Sequence, residues 1–217
     1  MTVTRDADAP SQIYHAVLAV LLLMLLAQPV ISQTVLGVRP IALLWGAIFV
    51  GSLLTVRRRK ALFASGLALM LPTVVLRVIA PLSSAMESWR DGLAVASFLF
   101  VAVVFLVHVL TYRRITAAAV SASLCVYIIV GMVWAIAYGI VERLAAGSFN
   151  GLDYGSDLGR QFVYFSYVTL TILGYGDITP ARPVVQTMAT VEAITGQLFL
   201  VGLVAYLVGR TVAGTRD

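Results

Sequence analysis

The stretch TLTILGYGDITP, Thr169–Pro180, decides how the rest of the chain is read. Two glycines, a tyrosine and an aspartate lie together directly after an apolar run too short to cross a bilayer. Glycine weakens a helix by roughly 1 kcal/mol relative to alanine. Backbone without internal hydrogen bonds is costly in lipid, and is tolerated at membrane depth only where protein buries it or where it lines a water-filled path. The surrounding sequence must therefore supply that setting.

Working outward, the composition puts lipid around most of the chain. Of 217 residues, 60% are hydrophobic and 12% charged, with a mean hydropathy of +0.97; a soluble domain carries about 25% charged residues. The single cysteine, Cys125, excludes an intramolecular disulfide and a cysteine-clustered metal site, and the two histidines, His15 and His108, are far apart in sequence. The net charge of +5 comes from basic residues placed between apolar runs. That is the pattern of membrane topology, and no nucleic-acid partner is expected.

A spanning helix needs about 20 mostly apolar residues. Candidates are Ile13–Ser32, Pro40–Val56, Ala61–Ala80, Gly92–Tyr112, Ile115–Val141 and Pro183–Gly209. The first is longer than the apolar core of a signal peptide and is preceded by Asp6 and Asp8, which favours a retained span. Leu158–Leu173 contains Arg160, Gln161, Ser166, Thr169 and Thr171 and is too short and polar to span, so a re-entrant helix is expected there. The basic clusters Arg57–Lys60 and Arg113–Arg114 place the loops after spans two and four in the cytoplasm. Both termini are then cytoplasmic, and the Glu142–Arg182 loop faces outside, where Asp153, Asp157 and Asp177 give some negative character.

Glycines open backbone conformations closed to other residues, so successive carbonyls can face one side. Several copies around an axis then form oxygen rings able to replace the hydration shell of potassium. Leu170–Asp177, LTILGYGD, resembles the selectivity filter of the potassium channel superfamily. With its flanking spans it is similar to the bacterial two-helix pore module, over roughly Ile115–Arg210. The resemblance implies an all-α membrane fold of six transmembrane helices, a re-entrant pore helix and a filter loop. The expected domains are 1–112, four helices without voltage-sensing arginines, and 113–217, the pore. A single GYG per chain implies a homotetramer, with potassium ions and membrane lipid as further partners and no cofactor.

Residue by residue, the resemblance puts the ion-binding ladder at Ile172, Leu173, Gly174, Tyr175 and Gly176, with potassium at the carbonyls of Leu173, Gly174 and Tyr175. Asp177 matches the acid that caps the filter, and Tyr164 with Phe165 the aromatic cuff packed on the filter tyrosine. Val168 stands where some channels carry a buried carboxylate, so inactivation dependent on that acid is not expected. Ile172 departs from the usual threonine: it keeps the β-branch but offers no oxygen, and Thr171 belongs by position to the pore helix. Glu192 lies near filter level and is read as a support that hydrogen-bonds behind it, and Glu142 as one that bonds the filter-loop backbone. Gly196 matches the gating-hinge glycine, with close packing the other reading, and Gly202 is read as packing.

The fourth span, GLAVASFLFVAVVFLVHVLTY, has no arginine; a voltage sensor needs one at about every third position. Its His108 is read as a packed neutral histidine before a pH sensor. The chain runs about one to two turns past the last span, so no nucleotide- or calcium-gated domain is expected. No catalytic triad or phosphate-binding loop is visible, and no enzyme activity is expected. The resemblance thus implies passive potassium conduction across a plasma membrane, bacterial inner membrane by the module's type, without strong voltage gating. A weakly selective or non-conducting subunit that regulates related channels is the alternative, because of Ile172. A potassium-coupled transporter would carry four pore repeats in one chain, and the GYG run occurs once.

Overall fold

A computed structural model of the chain describes residues 5–31, 39–78, 84–111 and 116–214. Among these are seven α-helices: α1 (Arg5–Ile31), α2 (Arg39–Val56), α3 (Lys60–Val78), α4 (Ser84–Thr111), α5 (Ala117–Leu144), α6 (Leu158–Leu170) and α7 (Pro183–Gly214). Two short strands, β1 (Phe149–Asn150) and β2 (Thr179–Pro180), pair antiparallel, Phe149 opposite Pro180. Four helical stretches are long and apolar enough to cross a membrane: Lys60–Val78, Met86–Thr111, Ala117–Leu144 and Pro183–Leu203. Gln12–Ala27 and Ile41–Val56 are shorter apolar helices. The residues divide into two compact units, 1–129 and 130–217.

In the first unit, α1 packs on α2, α2 on α3 and α3 on α4. Trp45, Phe49 and Phe98 interlock, with Trp45 edge-on to Phe98 at 4.6 Å between ring centres. Gly66 lets α3 approach its neighbours: a Cβ there would meet Leu53 Cδ2 at 2.8 Å and Phe100 Cε1 at 2.9 Å. Pro72 offers no amide to the Ala68 carbonyl one turn earlier in α3. Beside it, the Thr73 hydroxyl donates to the Leu69 carbonyl at 2.9 Å and stands 2.8 Å from Ser97 Oγ of α4. His108 is packed rather than solvated, its ring 5.1 Å from that of Tyr14. The exposed Arg57–Arg59 stretch forms the α2–α3 turn, whereas Arg113 and Arg114 lie outside the described residues.

The helix α4 begins eight residues before the expected Gly92, taking in Glu87, Arg90 and Asp91. Charged residues end a hydropathy-defined span but not a helix, and Glu87 in the first turn complements the partial positive charge there. Asp91 is buried and pairs with Arg77 of α3 at 3.6 Å and with Arg90 at 3.1 Å. The Arg77 guanidinium also lies over the Trp45 ring, 3.7 Å from its centre. Arg77 stands inside an apolar span, where an ionised group is expected to have a partner. That expectation and an acid at the start of the next helix were the available signals for this cluster.

Removing one partner of a buried ion pair costs about 3–5 kcal/mol, because the other charge is left uncompensated. Asp91→Ala is therefore expected to lower the thermal unfolding midpoint of the detergent-solubilised protein substantially. Arg77→Ala combined with Asp91→Ala should cost less than the sum of the two single changes. Additive losses would show that the pair does not couple α3 to α4.

Candidate functional site

The second unit is built on an aromatic core. Tyr138 of α5 lies edge-on to Phe149 at 5.5 Å and to Phe165 of α6 at 5.1 Å, and Phe149 also meets Phe162 and Phe165, each at 5.3 Å. These rings hold α6 against α5 and β1. Asp157 caps α6: the Gly159 and Arg160 amides donate to its Oδ1 at 2.9 and 3.4 Å. Asp153 Oδ1 likewise accepts from the Gly155 amide at 2.9 Å. Two of the three acids expected at the outer face are thus engaged in ordering the backbone that leads into α6.

The apolar run does not stay helical to Leu173. Helix α6 ends at Leu170, and the chain reverses its hydrogen bonding there. The Ile172 amide donates to the Thr169 carbonyl at 3.0 Å; the Leu173 and Gly174 amides both donate to the Val168 carbonyl, at 2.9 and 3.4 Å. The Thr171 hydroxyl donates to the Tyr167 carbonyl at 2.6 Å, which commits it to the helix. Beyond this turn, Ile172, Gly174 and Gly176 have φ of 59°, 64° and 78°, while Leu173 and Tyr175 are not among the positive-φ residues. The sign of φ thus alternates residue by residue from Ile172 to Gly176. Among the described residues, the carbonyls of Ile172–Gly176 accept no backbone hydrogen bond. Ile172 is the one non-glycine residue of positive φ among those described. A β-branched side chain in that region is a genuine outlier and is strained.

Tyr164 stacks on Tyr175, rings 7° from parallel and 6.4 Å apart. Its hydroxyl bonds the Asp177 carboxylate, and this bond holds the Asp177 carboxyl below its ordinary range. Phe165 departs from expectation: it is buried among Tyr138 and Phe149, and its ring contacts do not include Tyr175. Adjacent residues on a helix project in different directions, so Tyr164 and Phe165 cannot share one face. The sequence reading paired them by type and overlooked that geometry.

Glu142 also serves a different loop from the one expected. Its buried carboxylate accepts from the amides of Gly147 and Ser148 at 2.8 and 2.9 Å and from the Tyr154 hydroxyl at 2.6 Å. The bond to Glu142 raises Tyr154 above the ordinary phenol range. The effect on Thr169–Pro180 is indirect. The Ser148 carbonyl accepts from the Ala181 amide at 2.8 Å, β1 pairs with β2, and the Arg182 guanidinium donates to the Ala146 carbonyl at 2.9 Å. Gly151, at φ 81°, lies against the Asp177 carbonyl, leaving no room for a Cβ.

Glu192 is fully buried. The Tyr138 hydroxyl donates to its Oε2 at 2.5 Å, and Ser166 Oγ of α6 stands 2.5 Å from Oε1 and 2.7 Å from the Gly131 carbonyl. One turn further, a Cβ on Gly196 would collide with the Leu170 carbonyl. Close approach of α7 to the end of α6 accounts for glycine at 196. At Gly202, where packing was expected, a Cβ would meet nothing within 4 Å.

The arrangement joins a capped short helix, a strained turn and a run of unengaged carbonyls, all braced from behind by two buried acids. No curated protein and no solved structure matches the chain. The family model described as Ion channel matches residues 122–213. That segment holds most of α5, the α6 turn and nearly all of α7 and is similar to the domain that family model describes; with four helices long and apolar enough to cross a membrane, the chain is a multi-pass membrane protein.

Proposed function

We propose that the protein is a potassium-selective channel that conducts passively as a homotetramer in the plasma membrane. The observation that carries this reading is the alternation of φ through Ile172–Gly176, with the amides of Ile172, Leu173 and Gly174 tied back to α6. Carbonyl oxygens of Ile172 to Gly176 are then left to one side, as ligands for a dehydrated cation. The C-terminal end of α6 adds the negative end of its dipole. Asp177, held charged by Tyr164, stands at the outer end.

One chain contributes one strand of carbonyls, which cannot surround an ion. Val184, Val191 and Leu198, with Ile194 and Val201, are exposed on α7 at spacings of seven residues. Such a repeat suits packing against another helix, here a second copy of α7. Six spans with cytoplasmic termini follow from counting α1 and α2 as spanning and from the basic Arg57–Lys60 turn. Within α4 the charges Glu87, Arg90 and Asp91 all precede Gly92, so nothing resembling a ladder of gating charge crosses the field.

Ile172 favours a second reading, a weakly selective or silent pore that modifies related subunits. It supplies no hydroxyl, and Thr171 is already bonded to Tyr167.

Gly174→Ala and Gly176→Ala should each abolish potassium flux from reconstituted vesicles while the oligomer survives size-exclusion chromatography. A side chain in the left-handed region costs about 1–2 kcal/mol per residue. Wild-type flux in both variants would remove the assignment of the filter. Voltage dependence is a separate matter: each elementary charge moved is worth about 2.3 kcal/mol per 100 mV. The conductance–voltage curve in symmetric potassium should be shallow, and a steepness equal to several charges per channel would contradict the reading of α4.

A further inference from the structure

We propose that Glu192 is held as a neutral carboxylic acid, and that in this form it positions α6 between α5 and α7. Two oxygens compete for one serine proton. Ser166 Oγ lies 2.7 Å from the Gly131 carbonyl and 2.5 Å from Glu192 Oε1. A carbonyl only accepts, and a hydroxyl has a single proton. If Ser166 donates to Gly131, the proton of the second contact belongs to Glu192. The Tyr138 hydroxyl donates to Oε2. One arrangement then satisfies every atom: Oε1–H donates to Ser166, Ser166 donates to Gly131, and Tyr138 donates to Oε2.

An ionised Glu192 breaks that chain. Ser166 would turn its proton toward the carboxylate, leaving two oxygens 2.7 Å apart with no proton between them. That distance is normal for a hydrogen bond and repulsive without one. The carboxylate is also fully buried. The salt bridges among the described residues join Arg77 and Arg90 to Asp91, and none reaches Glu192. From α5 the titratable group facing it is Tyr138, and α6 presents Ser166. Buried charge without a counter-charge favours the neutral form.

The site stands close behind the turn that orders Ile172–Gly176. Ser166 is two residues before Val168, whose carbonyl holds the Leu173 and Gly174 amides. Glu192 is one turn before Gly196, which abuts the Leu170 carbonyl. Removing the proton releases Ser166 from Gly131 and frees the end of α6 to shift. This consequence for conduction rests on the channel reading above; the protonation state itself does not.

Infrared spectroscopy of the purified full-length protein at neutral pH tests the state directly. The wild type should show a protonated-carboxyl stretching band that is lost in E192Q. Should E192Q fail to assemble, S166A keeps the test: the band should persist but shift, because the acid loses its acceptor. Absence of any such band in the wild type overturns the proposal. Flux tests the positioning role: glutamine can donate to Ser166 and accept from Tyr138, so E192Q should retain flux where E192A loses it. Loss of flux in an assembled E192Q overturns that role. No flux from the wild type, with the band present, instead counts against the channel reading alone.

Discussion

At the end of α6 the Val168 carbonyl accepts the amides of both Leu173 and Gly174. This pair of bonds stops the helix, reverses the backbone and turns the following amides toward α6. The carbonyls of Ile172–Gly176 then accept no backbone hydrogen bond among the described residues. Everything else in the second unit keeps this turn where it is. Carbonyls left unpaired at membrane depth are tolerated only where protein buries them or where they line a water-filled path.

The support behind comes from three directions. The Tyr138, Phe149 and Phe165 rings hold α6 from α5 and β1. Glu142 orders the loop that pairs with the segment after the glycines, through Ser148 and the β1–β2 pair. Glu192 and Gly196 bring α7 against α6 and its last carbonyl. Burial of two acids in one small unit is expensive unless each is fully hydrogen-bonded, and both are. Ile172 is the first residue of the run, in a strained conformation where glycine would be relaxed.

Helix positions and the break after α6 were legible in the sequence, because length, hydropathy and the GYG run report directly on lipid and on backbone freedom. The starts of α1 and α4 were not, since Arg5, Asp6 and Asp8 in one and Glu87, Arg90 and Asp91 in the other end an apolar window without ending a helix. The filter-support residues were only partly legible. Tyr164 was placed against Tyr175, but Phe165, adjacent to it on the helix, points into the core. Glu142 was read as bonding the backbone of the Thr169–Pro180 loop, but its partners depend on how the 147–154 loop folds back, which no local pattern encodes. The Arg77–Asp91–Trp45 cluster joins residues up to 46 positions apart, by subtraction of their numbers, and only packing brings them together. Close packing at Gly196, one of its two readings, follows from the close approach of the α6 end, again a tertiary fact.

The claim that the carbonyls of Ile172–Gly176 select potassium is tested most directly by single-channel recording of the purified protein with potassium on one side and sodium on the other. A reversal potential that follows the potassium gradient is expected, despite the missing hydroxyl at Ile172. A reversal near zero, with measurable current carried by both ions, would contradict the account and favour the weakly selective pore.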